Sequence, residues 1–501
     1  MSRQAVWERA GFWSLVLAGM LLATYLLRLS GPTDLEADAQ QRNVGYVMDA
    51  VWRGHWLVQT EVRGWLMSKP PLHTWIAGAL AEFGGVNRLT LSLPSALSVL
   101  ALAFVLFRIG RRRFGQLAGG FAGVALILAP LMARHVALVR TDALFALTIA
   151  LAAFAAFRAW ETGRGWWLFW LAGAAATLVK GPLGLILAAS GLLAWFWEKR
   201  TDPAIPSPRG SQWTGLALFL GLTLGWMGLA VHAYGHPLID KLFFDELLGQ
   251  ATGMSKDIVP GEHFIKVIPF YAVRFFPFSP FALYGTWRVV SRPAADSGER
   301  RFERFLFAWI VTGALIFSLG AHFRPDLLLP LWPPGALLAG REMVRLGERI
   351  GRRRMLAGTA MVAALLLGLV FRNYHVGALK NKEVRYSVST EQAARALLAS
   401  GFDLGRIKHL DTAVTLQMYL GSYDLYLKED EVLRLAAGSV PLLLAVESPS
   451  AFPRIFGTGG TQPTEGLREV FRWPADPAQL ARVRIYANAA AQPTSGKCDG
   501  C

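Results

Sequence analysis

Three carboxylates and three cations stand out from a chain that is otherwise strongly apolar. Glu36 and Asp38 follow the first long apolar run, and Asp142 opens another run after Arg140-Thr141. Lys69 sits in Ser68-Lys69-Pro70-Pro71-Leu72-His73-Thr74-Trp75, Lys180 in Leu178-Val179-Lys180-Gly181-Pro182, and Arg324 in His322-Phe323-Arg324-Pro325-Asp326. Charges at bilayer depth are costly, so each that remains is a functional candidate. Two prolines fix φ and push the residue before each away from the helical region, which stiffens the backbone around Lys69. Gly and Pro break the helix beside Lys180, and exposed amides at such a break, together with the lysine, make an anion site. A carboxylate base and fixed cations together suit transfer of a group away from phosphate. The base takes a proton from an acceptor hydroxyl, and the cations stabilise the charge growing on the departing phosphate. The plainer reading is a set of interfacial caps and interhelical ion pairs. Chemistry is favoured because several of these residues lie at broken backbone, which ordinary helix-end charges do not need.

The elements that must position these groups are membrane helices. Of 501 residues, 53% are hydrophobic and 17% charged, and the apolar residues are gathered in long runs, so the chain is a polytopic membrane protein. Runs long enough to cross appear at about 11–29, 90–107, 116–133, 142–157, 166–179, 182–197, 213–232, 266–287, 304–320, 327–340 and 355–371. That predicts an all-α bundle of about eleven transmembrane helices, at about 20 residues per crossing. The net charge of +16 does not call for nucleic acid. Alternate short connections carry the clusters Arg108–Arg113, Lys199–Arg209, Arg288–Arg304 and Arg341–Arg354, which fall on one side if the N-terminus is cytoplasmic. Arg3 and Arg9 precede the first run, but no small-residue cleavage site follows it, so it reads as an uncleaved first helix of a multi-pass inner-membrane protein.

The opposite side then holds the segment Gly31–Arg88, the mouths of the later spans, the loop His232–Lys266 and everything after Arg372. In the first of these, Val44, Val47, Met48, Val51 and Trp52 recur at helical spacing between charges, predicting an amphipathic helix lying on the membrane surface. After Arg372 a helix at Glu391–Ser400 and strands at Leu442–Val446 and Val483–Tyr486 predict a small α/β domain. The organisation is therefore a transmembrane domain over 1–371, the α/β domain over 372–490, and a flexible tail over 491–501 with Cys498 and Cys501 in it. His232, His236 and His263 share one loop with Asp240, Asp245 and Glu246, yet their spacing matches no strong ligand pattern and reads as solvated loop. No cofactor or metal site is assigned, and a requirement for a divalent metal stays open.

Glu36-x-Asp38, Gly54-His55-Trp56 and Lys69-Pro70-Pro71-Leu72 resemble the first periplasmic loop of GT-C glycosyltransferases of the protein-mannosyltransferase type. The nearest likeness is to the bacterial aminoarabinose transferases that modify lipid A (ArnT-like). The resemblance continues in order through Arg140-Thr141-Asp142, Lys180-Gly181-Pro182, Pro260-Gly261-Glu262-His263, Phe276-Pro277-Phe278-Ser279-Pro280 and Phe323-Arg324-Pro325-Asp326-Leu327-Leu328-Leu329-Pro330. It covers about residues 10–340. It implies interfacial helices in the first periplasmic loop and an inverting transfer from a polyprenyl-phosphate sugar at the periplasmic face. Carried over, Asp38 is the candidate base, and Asp142, a catalytic candidate with Asp38 and Glu36, lines the cavity with Lys180. Lys69, Lys180, Arg324 and His263 bind the lipid phosphate or the sugar. The family usually shows adjacent Asp-Glu in loop one; here Ala39 follows Asp38 and Glu36 precedes it, so either carboxylate is the base. His73 stands where the family usually has an aromatic or small residue.

The expected activity is sugar transfer to an envelope acceptor, lipid A or another glycolipid or glycan. A protein O-mannosyltransferase-like enzyme of the same fold and a non-enzymatic lipid-linked sugar flippase or transporter are the alternatives. A transporter predicts charges at the span centres, whereas these cluster at one face.

Overall fold

The computed structural model describes residues 6–36, 38–249, 264–320, 323–457, 460, 463–476 and 482–491, and Asp38 in its backbone alone. His263, with the rest of Pro260-Gly261-Glu262-His263, lies outside the described residues, as do His322, Cys498 and Cys501. The chain forms two compact units. One comprises Met1–Ser30, Ser68–Ile76 and Ser92–Tyr374, and the other Gly31–Met67, Ala77–Leu91 and His375–Cys501.

The first unit is helical. Its leading elements are α1 (Ala10–Leu29), then, past α2 (Asp38–Arg53) and α3 (Leu72–Gly84), the long α4 (Arg88–Phe114). These are followed by α5 (Gln116–Leu128), α6 (Pro130–His135), α7 (Asp142–Thr162), α8 (Trp166–Lys180) and α9 (Leu183–Ala189). Six helices among the described residues are long and apolar enough to cross a bilayer: α1, α4, α7, Trp213–Tyr234, Ser297–Leu319 and Arg352–Val376. Five of the eleven runs expected from hydropathy are instead short or broken. The run 116–133 splits at Ala129, before Pro130, into α5 and α6, and 182–197 is divided between α9, a 3-10 turn and Ala194–Thr201. The run 266–287 becomes Val267–Arg274 and Ser279–Ser291, and 327–340 opens as a 3-10 turn, while α8 has only 15 residues. Hydropathy sees apolar length and is blind to the backbone breaks that Gly and Pro impose.

Small residues bring the helices together. A Cβ on Gly110 would meet the Cα of Gly119 at 2.7 Å, and one on Gly340 would meet the Ala118 carbonyl at 2.3 Å. With lipid as apolar as leucine, close packing of this kind, rather than hydrophobic burial, holds a membrane bundle together.

The second unit contains a four-stranded sheet in the order β1-β2-β4-β3, with β1 (Ile407–Asp411), β2 (Leu443–Val446), β3 (Leu467–Trp473) and β4 (Val483–Asn488). β1 and β2 run parallel, and the other two pairings are antiparallel. One face is covered by Ala393, Ala394 and Leu397 of the helix Lys382–Ala399 with Leu416, and the other by Val432, Ile455 and Phe456. Both faces are thus apolar, which makes a layered α/β arrangement. β2 and β4 correspond to the strands expected from sequence, whereas β1 and β3 carry too many charged residues to show the pattern. α2 forms where amphipathic spacing places it, but Val44, Val47 and Met48 are fully buried against protein, with Val414 beside Gly45. These three residues therefore pack against protein, while Trp52 at the end of the same stripe is 37% exposed.

Candidate active site

Several charged residues of the helical unit converge on Asp142. It is the first residue of α7 and is 2% exposed. Lys180, the last residue of α8, donates to its Oδ1 at 2.5 Å, and Arg140 Nε lies 3.0 Å from its Oδ2. Arg140 bridges onward to Asp326 Oδ2 at 2.8 Å. The Nε2 of His135 stands 3.5 Å from Asp326 and 3.7 Å from Asp142, while its Nδ1 bonds the Leu131 carbonyl.

Local sequence explains why these groups meet. Pro130 starts the short helix that ends at His135, and the Ser95 hydroxyl of α4 holds the following turn by donating to the carbonyls of Leu138 (2.6 Å) and Arg140 (3.3 Å). That turn delivers Arg140 and Asp142 two residues apart at a helix start, where a carboxylate also faces the positive end of the helix dipole. α8 stops at Lys180 because Gly181 adopts φ +95°, a conformation only glycine takes without strain. Arg324-Pro325 turns the chain into the 3-10 segment that presents Asp326.

Two cations are left over. Arg140 and Lys180 take both carboxylates, so among the described residues neither Lys69 nor Arg324 has an acidic partner, and Arg324 Nε is buried without any. Removal from water brings the Lys69 ammonium down to about 7, helped by the cations Lys180, Arg140 and Arg324 and opposed by Asp142. With Lys69 protonated, Lys69, Arg140, Lys180 and Arg324 against Asp142 and Asp326 leave two positive charges in a site largely screened from solvent. Such a site attracts an anion.

His73, one turn beyond Lys69, is 1% exposed and belongs to the same field: burial first, then Lys69, hold its imidazole down to about 4. The neighbouring His135, Arg140 and Asp326 complete the polar cluster, although sequence singled out none of them as site residues. Their signals were present in the motifs themselves, Arg140-Thr141-Asp142 and Arg324-Pro325-Asp326, which each pair an arginine with an acid two residues on. Among the described residues no three His, Cys, Asp or Glu groups gather as metal ligands.

The two loop-one carboxylates differ. Glu36 is buried in the second unit, where Arg482 donates to its Oε2 and Thr415 to its Oε1 at 3.1 Å, and its own N–H donates to Ser387 Oγ at 3.0 Å. Asp38 is the first residue of α2, and its side chain lies outside the described set.

Residues 68–226 match the family model described as dolichyl-phosphate-mannose-protein mannosyltransferase, a stretch that begins on Ser68-Lys69 and takes in His73, Asp142 and Lys180. The undecaprenyl phosphate-alpha-4-amino-4-deoxy-L-arabinose arabinosyl transferase 2 of Pseudomonas fluorescens (strain Pf0-1) is 25% identical over 370 residues, covering 72% of this chain and 64% of that protein. The corresponding transferase of Enterobacter sp. (strain 638) is 24% identical over 356 residues, covering 67% and 60%. The matched regions thus span less than two thirds of these relatives. In fold, the chain is similar to the crystal structure of ArnT from Cupriavidus metallidurans bound to undecaprenyl phosphate. The TM-score is 0.75 over 97% of this chain and 100% of that one, at 17% identity. Family model, relatives and fold agree with the ordered motifs: the chain is similar to the ArnT-like GT-C glycosyltransferases over these regions.

Proposed function

We propose that this protein transfers a sugar from a polyprenyl-phosphate donor to an envelope acceptor, lipid A or another glycolipid or glycan, at the periplasmic face of the inner membrane with the N-terminus cytoplasmic. The observation that carries this reading is the pair of uncompensated cations, Lys69 and Arg324, beside the Asp142 network. In the reaction the bond between the sugar's anomeric carbon and the phosphate oxygen breaks, and the acceptor oxygen bonds that carbon from the opposite face, which inverts its configuration. The acceptor's proton passes to a carboxylate base, and polyprenyl phosphate leaves with one more negative charge than the phosphate carried in the donor.

A site with two spare positive charges complements that leaving group better than the singly charged donor. It therefore stabilises the transition state more than the ground state. Lys69 and Arg324 take the phosphate. Lys180 and Arg140, held by Asp142 and Asp326, are fixed at ion-pair distance and cannot collapse onto the phosphate. Asp38 is the base in this reading, because Glu36 is spent on Arg482 and Thr415. His263 keeps its place as a sugar-binding candidate by resemblance alone.

The test uses the full chain in lipid nanodiscs with undecaprenyl phosphate and a panel of its glycosylated forms. Loss of donor binding in Lys69→Ala and Arg324→Ala, with Asp38→Asn binding donor but not turning it over, is the expected pattern. A wild type that neither binds nor consumes any lipid-linked sugar overturns the proposal.

A further inference from the structure

His73 is unlike the other buried histidines. His135 bonds the Leu131 carbonyl through Nδ1 and His409 bonds Thr412 through Nδ1, so each ring is anchored. In His73 both ring nitrogens are buried with no hydrogen-bond partner among the described residues. Burying a polar group with its hydrogen bonds unmade is costly relative to burying an apolar side chain of similar shape. A ring that pays this twice is a group held in reserve for a ligand. It lies four residues beyond Lys69, and the fields of Lys69 and Asp142 both act on it, so it sits beside the cationic cluster. A neutral imidazole there offers one N–H donor and one acceptor.

We propose that the His73 imidazole hydrogen-bonds the phosphate of the lipid-linked donor, acting with Lys69 as a two-point clamp; this rests on the transferase reading above. Lys69 supplies a point charge that can move on its flexible stem. His73 supplies a directional N–H from the first turn of α3, fixing which phosphate oxygen is held and so the direction in which the sugar points. The phosphate, rather than the sugar, is the partner because an unpaired ammonium one turn away draws an anion to that place.

The experiment measures binding of undecaprenyl phosphate, which has no sugar, to the full chain in nanodiscs for wild type, His73→Leu, His73→Phe and His73→Gln. Melting of the ligand-free proteins is followed in parallel. Leu and Phe, which cannot donate, are expected to weaken binding about 5- to 20-fold, the loss of one charge-assisted hydrogen bond. Gln keeps an N–H and stays within about threefold by the same reasoning. A purely structural histidine would give the reverse pattern, a lower melting temperature with affinity unchanged. Here the ligand-free Leu and Phe proteins are expected to melt at or above the wild-type temperature, because two unpartnered polar atoms are gone. If wild type binds and the apolar variants that fold bind equally well, the clamp is overturned and the transferase reading stands. If wild type does not bind undecaprenyl phosphate, the clamp is overturned, and turnover of the glycosylated panel decides the transferase reading separately.

Discussion

Arg482 grips Glu36 across 446 positions of the chain. The two side chains are 11% and 3% exposed, and the guanidinium is held in turn by Thr390 Oγ1 at 3.1 Å, by Glu447 and by the face of Tyr386. A carboxylate whose two oxygens already accept from Arg482 and Thr415 is poorly placed to take a proton from a substrate. It is well placed to fix the segment that leads, two residues later, into α2 and Asp38.

The two loop-one acids therefore separate by mutation. Glu36→Gln removes one of the two counter-ions of the buried Arg482 guanidinium and is expected to lower stability by about 1–3 kcal/mol, with turnover per folded molecule within about threefold of wild type. Asp38→Asn is expected to leave the melting temperature unchanged and to cut turnover by about 10²- to 10⁴-fold, the span of a lost general base. Melting and single-turnover rates on both variants decide the assignment. The opposite pattern would make Glu36 the base.

Lys69 predicts a pH dependence whose sign is fixed by its lowered ionisation at about 7. In the free site the ammonium is charged below that value and neutral above it, and only the charged form attracts the phosphate. Affinity for a glycosylated phosphodiester donor, whose phosphate carries one charge throughout the range, is expected to be flat from pH 5.5 to about 7. Above that it should fall by up to about tenfold per pH unit, because binding must then draw a proton back onto Lys69. In Lys69→Arg the guanidinium stays charged and the bend should vanish. Donor affinity measured from pH 5.5 to 9 checks it, and a wild-type curve flat to pH 9 would remove Lys69 from the phosphate.

The parts of the site legible in sequence were those marked by broken backbone. Lys69 before Pro-Pro, Lys180 before Gly-Pro and Arg324 before Pro each announced a charge at a helix interruption, and the fold brings Lys180 to Asp142 as an ion pair. What escaped was partnership. Nothing in local spacing says that Arg140 would bridge Asp142 to Asp326, 184 residues apart, or that Arg482 would close on Glu36. The amphipathic stripe of α2 was legible as a stripe, but Val44, Val47 and Met48 look the same whether their partner is lipid or protein. The same limit holds for the apolar runs: their length was visible, but not the interruptions at Pro130 and Pro277 that turn single runs into pairs of shorter helices.

The Asp142–Lys180 pair offers the sharpest separation of scaffold from chemistry. Removing one member leaves the other charged and buried, which costs about 3–5 kcal/mol in comparable pairs, so Asp142→Asn and Lys180→Met should each lower the melting temperature markedly. The double variant replaces the pair with two neutral side chains, and its loss should fall short of the sum of the single losses by about 0.5–3 kcal/mol, the coupling expected for groups in contact. If the pair only braces α7 against α8, activity should return with stability in the double variant. If the pair holds Lys180 as a fixed cation beside the phosphate, the double variant should regain stability and remain inactive, with donor affinity still reduced. Melting temperature, donor affinity and turnover measured on all four proteins read the two outcomes apart.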